Sequence, residues 1–278
     1  MDSPSLVIRN MDPSTEYFVG TCTHINESQE IDACGRRRVA WLRGMYDKGL
    51  RVKVATLGGD PAGFLYMIPI EICPWGPFGE SLSVIPCLVI LERAKGRGVG
   101  RALVAAAEEE ARGQGRKGIA TIAYYHDFWF MPTAFFEKCG FTEAQRRGKE
   151  AVLWKVFTPA TDAPLAVPRM LERSYHFEPM AGKVVVDLFW NTFCETSDIE
   201  AQRVREVAAE FGDSVMLREH CAEDRAILCR YQTDRAIFVN GVEIGWGYEA
   251  PKEGIREAIL TARQSLLSGN SGMSMGSV

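Results

Sequence analysis

Apolar stretches broken by turn residues predict the first elements. Val52–Leu57 reads as a strand, Gly58-Gly59-Asp60 as a turn, and Ala62–Ile70 as a second strand. Ser81–Leu91 predicts a third, interrupted by Pro86, which lacks an N–H and so marks an edge or a bulge. The period then changes. Leu103, Val104, Ala107 and Ala111 fall on one helical face, and that helix ends near Gly113. Val39–Lys48 predicts an earlier helix stopped by Gly49. Gly118–Tyr124 reads as a strand, Pro132–Cys139 as a short helix closed by Gly140, and Val152–Phe157 as the last strand of an N-terminal region, residues 1–158. Pro159, Pro164, Pro168 and Pro179 break up residues 159–182, which reads as a linker with a short helix near 168–174. A second pattern fills residues 183–267: strand Lys183–Phe189, helix Asp198–Phe211, strand Ser214–Glu219, short helix Ala222–Tyr231, strands Arg235–Asn240 and Val242–Trp246, and helix Pro251–Gln264. Residues 268–278, rich in Gly, Ser and Met, predict a disordered tail.

Composition narrows the class. Of 278 residues, 46% are hydrophobic and 24% charged, which excludes a mainly disordered chain. No apolar run is long enough to cross a membrane, and Met1-Asp2-Ser3-Pro4 does not open a secretory signal, so a cytoplasmic protein without membrane partners is expected. A net charge of −4 argues against a nucleic-acid partner. The eight cysteines share no repeated spacing and read as reduced thiols. Cys22, His24 and Cys34 do not have zinc-ligand spacing and lack a fourth partner, so no metal is expected.

Lys95-Gly96-Arg97-Gly98-Val99-Gly100-Arg101 lies between a strand and an amphipathic helix. Glycines there allow positive φ and close approach of a ligand to backbone N–H groups, and the helix directs its positive end at the same point. This suits a phosphate or pyrophosphate. A P-loop would need Gly-Lys-Ser/Thr, which is absent. A dinucleotide fingerprint would need a glycine where Arg101 or Leu103 stands.

The loop resembles the acetyl-CoA motif of the GNAT N-acetyltransferases, Gln/Arg-x-x-Gly-x-Gly/Ala, as Lys95-x-x-Gly98-x-Gly100. About 40 residues on, Ala134-Phe135-Phe136-Glu137-Lys138-Cys139-Gly140-Phe141 resembles the family's Phe-Tyr-Glu-Lys-x-Gly-Phe segment, with Phe136 at the tyrosine position. The resemblance implies a mixed-sheet α/β domain with acetyl-CoA as co-substrate. Its pyrophosphate would lie on the amides of Gly96, Arg97, Gly98, Val99, Gly100 and Arg101, with Lys95 adding charge and Phe136 nearby. Its pantetheine arm would pair with Leu88, Val89 and Ile90 on a splayed strand. Acetyl transfer to an amine needs a group that takes a proton and one that meets the leaving thiolate. Tyr124, Tyr125, His126 and Asp127, at the end of the preceding strand, are the candidates, and Glu80 is a further carboxylate. Cys87 reads as a packing residue. Cys22, His24, Glu27, Glu30 and Arg38 are candidate acceptor contacts, because this early region shapes the acceptor pocket in the family.

The C-terminal order resembles a thioredoxin-like α/β domain, smaller than the first. Phe189-Trp190-Asn191-Thr192-Phe193-Cys194-Glu195-Thr196-Ser197 is similar to its one-cysteine Cys-x-x-Ser approach, and Arg235 stands where that family has a cis-proline. Cys194, Ser197 and Arg235 form a candidate thiol site, since a helix N-terminus favours a thiolate. The two-module plan resembles the YoaP-type bacterial acetyltransferases. The expected function is acetyl transfer from acetyl-CoA to a primary amine of a small molecule by direct attack in a ternary complex. The alternatives are a protein-directed acetyltransferase, a non-catalytic acyl-CoA sensor, or a thiol-redox protein acting through Cys194. Homodimerisation or protein docking is assigned to the C-terminal domain.

Overall fold

A computed structural model describes residues 5–126, 130–157, 165–246 and 248–271. The chain divides into two compact units, Met1–Leu171 and Glu172–Val278.

The first unit runs β1 (Leu6–Asn10), α1 (Glu16–Gly20), α2 (Gln29–Met45), β2 (Arg51–Leu57), β3 (Asp60–Pro69), β4 (Leu82–Ile85), β5 (Leu88–Ile90), α3 (Val99–Gly113), β6 (Gly118–Tyr124), α4 (Thr133–Lys138), β7 (Thr142–Arg147) and β8 (Glu150–Val156). Its mixed sheet has the order β1-β2-β3-β4-β6-β8-β7, with β5 paired to β3 alone. β4 and β6 are parallel and the other neighbours antiparallel. Leu103, Val104, Ala107 and Ala111 of α3 are buried against this sheet, as their spacing predicts, and Val99 is buried with them. β1 and β7 lie outside the sequence expectation. α2 begins ten residues earlier than the predicted helix. Its cap is Ser28, whose hydroxyl accepts the Ile31 N–H at 3.1 Å.

The stretch expected as a linker contributes to both units. Phe78 and Arg169 exchange backbone hydrogen bonds of 2.8 and 2.9 Å, so no helix forms near 168–174. In the second unit, the Tyr175 hydroxyl donates to Asp187 at 2.8 Å.

The second unit runs β9 (Val184–Trp190), α5 (Glu195–Glu210), β10 (Val215–Cys221), α6 (Arg225–Tyr231), β11 (Ala236–Val239), β12 (Val242–Ile244) and α7 (Lys252–Ser271). The strand order is β10-β9-β11-β12, with β9 parallel to β10 and antiparallel to β11. Val184, Val186 and Leu188 face α5 and α7 through Val204, Val207, Ile255 and Ile259. The opposite face carries Phe189 and Phe238 beneath Tyr175 and Tyr231. α7 continues to Ser271, past the expected start of the tail at 268, and residues 272–278 are outside the described set.

Candidate functional site

Pro86 splits the predicted third strand in two. β4 pairs with β6 as far as Ile85↔Thr121, where the Thr121 hydroxyl donates to the Ile85 carbonyl at 2.8 Å. Beyond this point β6 stays with β8, while β5 follows β3. No ladder joins β5 to β6 among the described residues, so the sheet opens there. The Tyr66 N–H donates to the Cys87 carbonyl at 3.1 Å and the Leu91 N–H to the Ala62 carbonyl at 3.0 Å. Hydrogen-bonded pairs alternate along an antiparallel ladder. The backbone groups of Val89 therefore face β3, and those of Leu88 and Ile90 face the opening.

The glycine turn follows directly. Gly96 has φ +74° and Gly98 φ +79°, and a Cβ at either would meet nothing within 4 Å. Gly98 caps α3 without any side-chain hydrogen bond. The first amides of α3 are thus left to solvent or a ligand, beside a fixed dipole end. Gly100 is close-packed instead: a Cβ there would lie 3.1 Å from the Phe135 ring, which would have to give by a few tenths of an ångström. Lys95 is paired with Glu92 at 2.5 Å. Lys95, Arg97 and Arg101 are exposed around the turn. This arrangement offers two backbone edges to an elongated ligand carrying an anionic group.

Two predicted contacts fall elsewhere. Phe136 is fully buried in the core, edge-on to Phe135 at 5.0 Å and Phe141 at 5.4 Å, so Phe135 is the ring that touches the turn. Glu80 precedes β4 at the end where Leu82 pairs with Gly118. At about 3.3 Å per residue, the four residues of β4 alone put it at least roughly 10 Å from the opening. The structure therefore does not bring Glu80 to the opening, because Leu82–Ile85 must cross the sheet first.

Tyr124 ends β6, and its N–H donates to the Met131 carbonyl at 2.9 Å. The His126 ring stacks on Tyr124 with centroids 5.4 Å apart. The Tyr125 hydroxyl donates to Glu143 at 2.9 Å and approaches Glu137 at 3.2 Å, beneath the Arg146 guanidinium. The Glu143 hydrogen bond, helped by partial burial, pushes the Tyr125 hydroxyl up to about 12. Its proton is thus retained at neutral pH and already engaged. Asp127 lies outside the described residues.

Among the acceptor candidates, Arg38 is buried. It donates to the Val19 carbonyl at 3.3 Å, to the Gly20 carbonyl, and to the Tyr66 hydroxyl at 2.9 Å. It therefore holds the end of α1 onto β3. Burial, above all, pushes the Tyr66 hydroxyl far up, and both Cys22 and Cys87 are near enough to act on it. Cys22 sits at positive φ (48°) in the α1–α2 turn with His24, and Glu30 begins α2. Glu27 is exposed in that turn. Spacing alone did not reveal the tie between Arg38 and Tyr66, because the two are 28 residues apart.

In the second unit Cys194 caps α5, its N–H donating to the Asn191 side chain at 2.9 Å. The Ser197 hydroxyl is buried and accepts the Asn191 N–H at 2.9 Å. Arg235 is bound to Glu200 at 2.7 and 3.0 Å and to the Tyr248 carbonyl at 3.0 Å. Burial works against the Arg235 charge, but Glu200, with a smaller contribution from Cys194, holds its pKa above the ordinary value.

Among the described residues, no group of three His, Cys, Asp or Glu side chains is placed to hold a metal. No helix among them is long and apolar enough to cross a membrane.

Residues 48–143 match the family model of the acetyltransferase (GNAT) domain. The match includes the opening, the glycine turn and α4, so the first unit carries an acetyltransferase domain. No curated protein matches the chain. Among the solved structures that are similar over part of it are the following three. The PaiA N-acetyltransferase from Thermoplasma acidophilum, in complex with coenzyme A, is 13% identical with TM-score 0.41, covering 55% of this chain and 99% of its own. Spermidine N-acetyltransferase from Vibrio cholerae is 15% identical with TM-score 0.41, covering 56% and 96%. Ribosomal-protein-alanine N-acetyltransferase from Brucella melitensis is 19% identical with TM-score 0.41, covering 54% and 99%.

Proposed function

We propose that this chain transfers the acetyl group of acetyl-CoA to a primary amine of a small molecule, by direct attack in a ternary complex. One observation carries the reading. A strand edge presenting the Leu88 and Ile90 backbone groups stands beside an uncapped α3 N-terminus entered through left-handed Gly98. The turn amides would hold the pyrophosphate and the strand edge the pantetheine arm, so the thioester lies in the opening next to the end of β6. His126, stacked on Tyr124 at that strand end, is the base for the amine proton. Tyr124, at the end of β6, is the hydroxyl that meets the departing thiolate. The first unit holds all of these groups.

The second unit is a thioredoxin-like module. The support is its β-α-β-α-β-β-α order, with a parallel β9–β10 pair and Cys194 at the α5 cap. With Arg235 committed to Glu200 and Ser197 to Asn191, the module serves docking rather than disulfide exchange.

Calorimetry with acetyl-CoA, followed by thiol-release assays on spermidine, arylamines and an alanine-terminated peptide, tests the proposal. Binding with turnover on a small amine is expected. Turnover on the peptide alone would make the enzyme protein-directed. Binding without any turnover would make it a sensor, and absence of binding would end the acetyl-CoA reading.

A further inference from the structure

We infer that Lys155 is a positioning residue for the acetyl-CoA site, setting α3, which carries the glycine turn, against α4, whose Phe135 lies on that turn. The inference rests on the acetyl-CoA reading above.

Lys155 lies on β8, in the row with Ala151 and Leu153, which are buried in the core shared with α3 and α4. A lysine continuing that apolar row needs acceptors for its ammonium, and it has three. Its Nζ donates to both Glu108 carboxylate oxygens at 2.8 and 2.9 Å and to the Cys139 carbonyl at 2.9 Å. All three ammonium hydrogens are therefore used. Glu108 belongs to α3, and Cys139 is the residue that caps the end of α4. A cation is favourable at the carbonyls left over at a helix end. The Glu108 side chain is 13% exposed and that of Lys155 28%, so the pair is only partly screened by water.

This contact has a counterpart nearer the turn. The Phe135 ring of α4 approaches Gly100, eight residues before Glu108 and about 12 Å away at 1.5 Å rise per residue. The Lys155 contact adds a second fixed point at the far end of α4 and so sets its angle on α3 more closely than Phe135 and the core do alone. The Phe135 contact is apolar and would survive loss of the lysine, as would the core beneath it. The fold should therefore persist while the turn loosens. Amides that must meet a pyrophosphate within hydrogen-bond range lose affinity for shifts well below the size of a side chain.

The full-length chain and its Lys155→Met and Lys155→Arg variants, compared by acetyl-CoA calorimetry and circular dichroism, test this. Lys155→Met is expected to raise the acetyl-CoA Kd about tenfold with its secondary structure retained. Lys155→Arg keeps the charge and can reach both acceptors, and is expected to return to within about threefold of wild type. Equal affinity of Lys155→Met and wild type would overturn the inference, as would equal weakening by both variants. If Lys155→Met fails to fold, Glu108→Gln decides. Several-fold weaker binding supports the role, and wild-type binding overturns it. If wild type itself does not bind, the acetyl-CoA reading falls and the inference falls with it.

Discussion

Gly63 lets the splayed strand sit where it does, and Gly63→Ala should move it. Gly63 of β3 stands opposite Ile90 of β5. A Cβ there would lie 2.5 Å from the Val89 carbonyl oxygen, 2.8 Å from Ile90 Cδ1 and 3.2 Å from Ile90 Cα. The Ile90 methyl can rotate away, but a backbone oxygen and a Cα cannot. β5 must retreat by roughly 1 Å to regain ordinary van der Waals contact. The strand then shifts its Leu88 and Ile90 edge into the opening. Overpacking of this kind costs about 1–3 kcal/mol, and for a unit of this size that lowers Tm by roughly 3–10 °C. One or two backbone hydrogen bonds to the pantetheine arm would lengthen, at about 1 kcal/mol each, raising the acetyl-CoA Kd about tenfold. Gly44→Ala is the control. Gly44 is exposed within α2 with nothing within 4 Å of a new Cβ. It should gain roughly 0.5–1 kcal/mol from helix formation and leave Kd unchanged. Calorimetric unfolding and ligand titration read both quantities. If Gly63→Ala matched wild type in both, close approach at this pair would not be what holds β5. A fall in Tm with unchanged Kd would instead mean that the arm does not lie along this edge.

Two further outcomes follow from local geometry. Gly98 has φ +79° with open space around it, so substitution there costs backbone strain alone. Gly98→Ala should lose about 1–2 kcal/mol and Gly98→Asn less, because Asn tolerates the left-handed region; thermal unfolding of the two checks the order. In β9, burial disfavours the Asp187 charge, but hydrogen bonds from His220 at 3.1 Å and Tyr175 at 2.8 Å outweigh it and hold the carboxyl below its ordinary value. A depressed folded-state value contributes stability above the unfolded pKa of about 3.9 and loses it as pH falls through the lower one. Asp187→Asn should therefore be less stable at neutral pH and show a flatter fall below about pH 4, measured by urea unfolding across pH; an unchanged acid limb would refute the assignment.

What the sequence showed and what it hid divide along a physical line. Pro86 announced a break because a missing N–H is a local fact, and the split into β4 and β5 follows from it. Gly98 and the face of α3 were legible for the same reason: φ preference and a 3.6-residue period belong to the residues themselves. β7 was not, because Thr-Glu-Ala-Gln-Arg-Arg has no apolar alternation and is a strand only through its pairing with β8. α2 was seen from Val39 onward, yet its start depends on Ser28, and between the two only Ile31, Ala33 and Cys34 interrupt charged residues, a glutamine and a glycine. Site residues divide in the same way. Arg38, in a run of three arginines, read as an acceptor contact; it is buried because Tyr66, far away in sequence, offers a hydroxyl beside the α1 carbonyls. Glu80 was a candidate as a carboxylate preceding the splayed strand, but β4 stands between it and the opening. Lys155 shows the same gap from the other side. A lysine in an apolar row looks like a surface position until Glu108 and the Cys139 carbonyl, from two different helices, are seen to share its ammonium. The backbone half of this site is therefore encoded locally, in glycines and a proline. The side-chain half exists only where distant segments meet, which is why spacing along the chain does not assemble it.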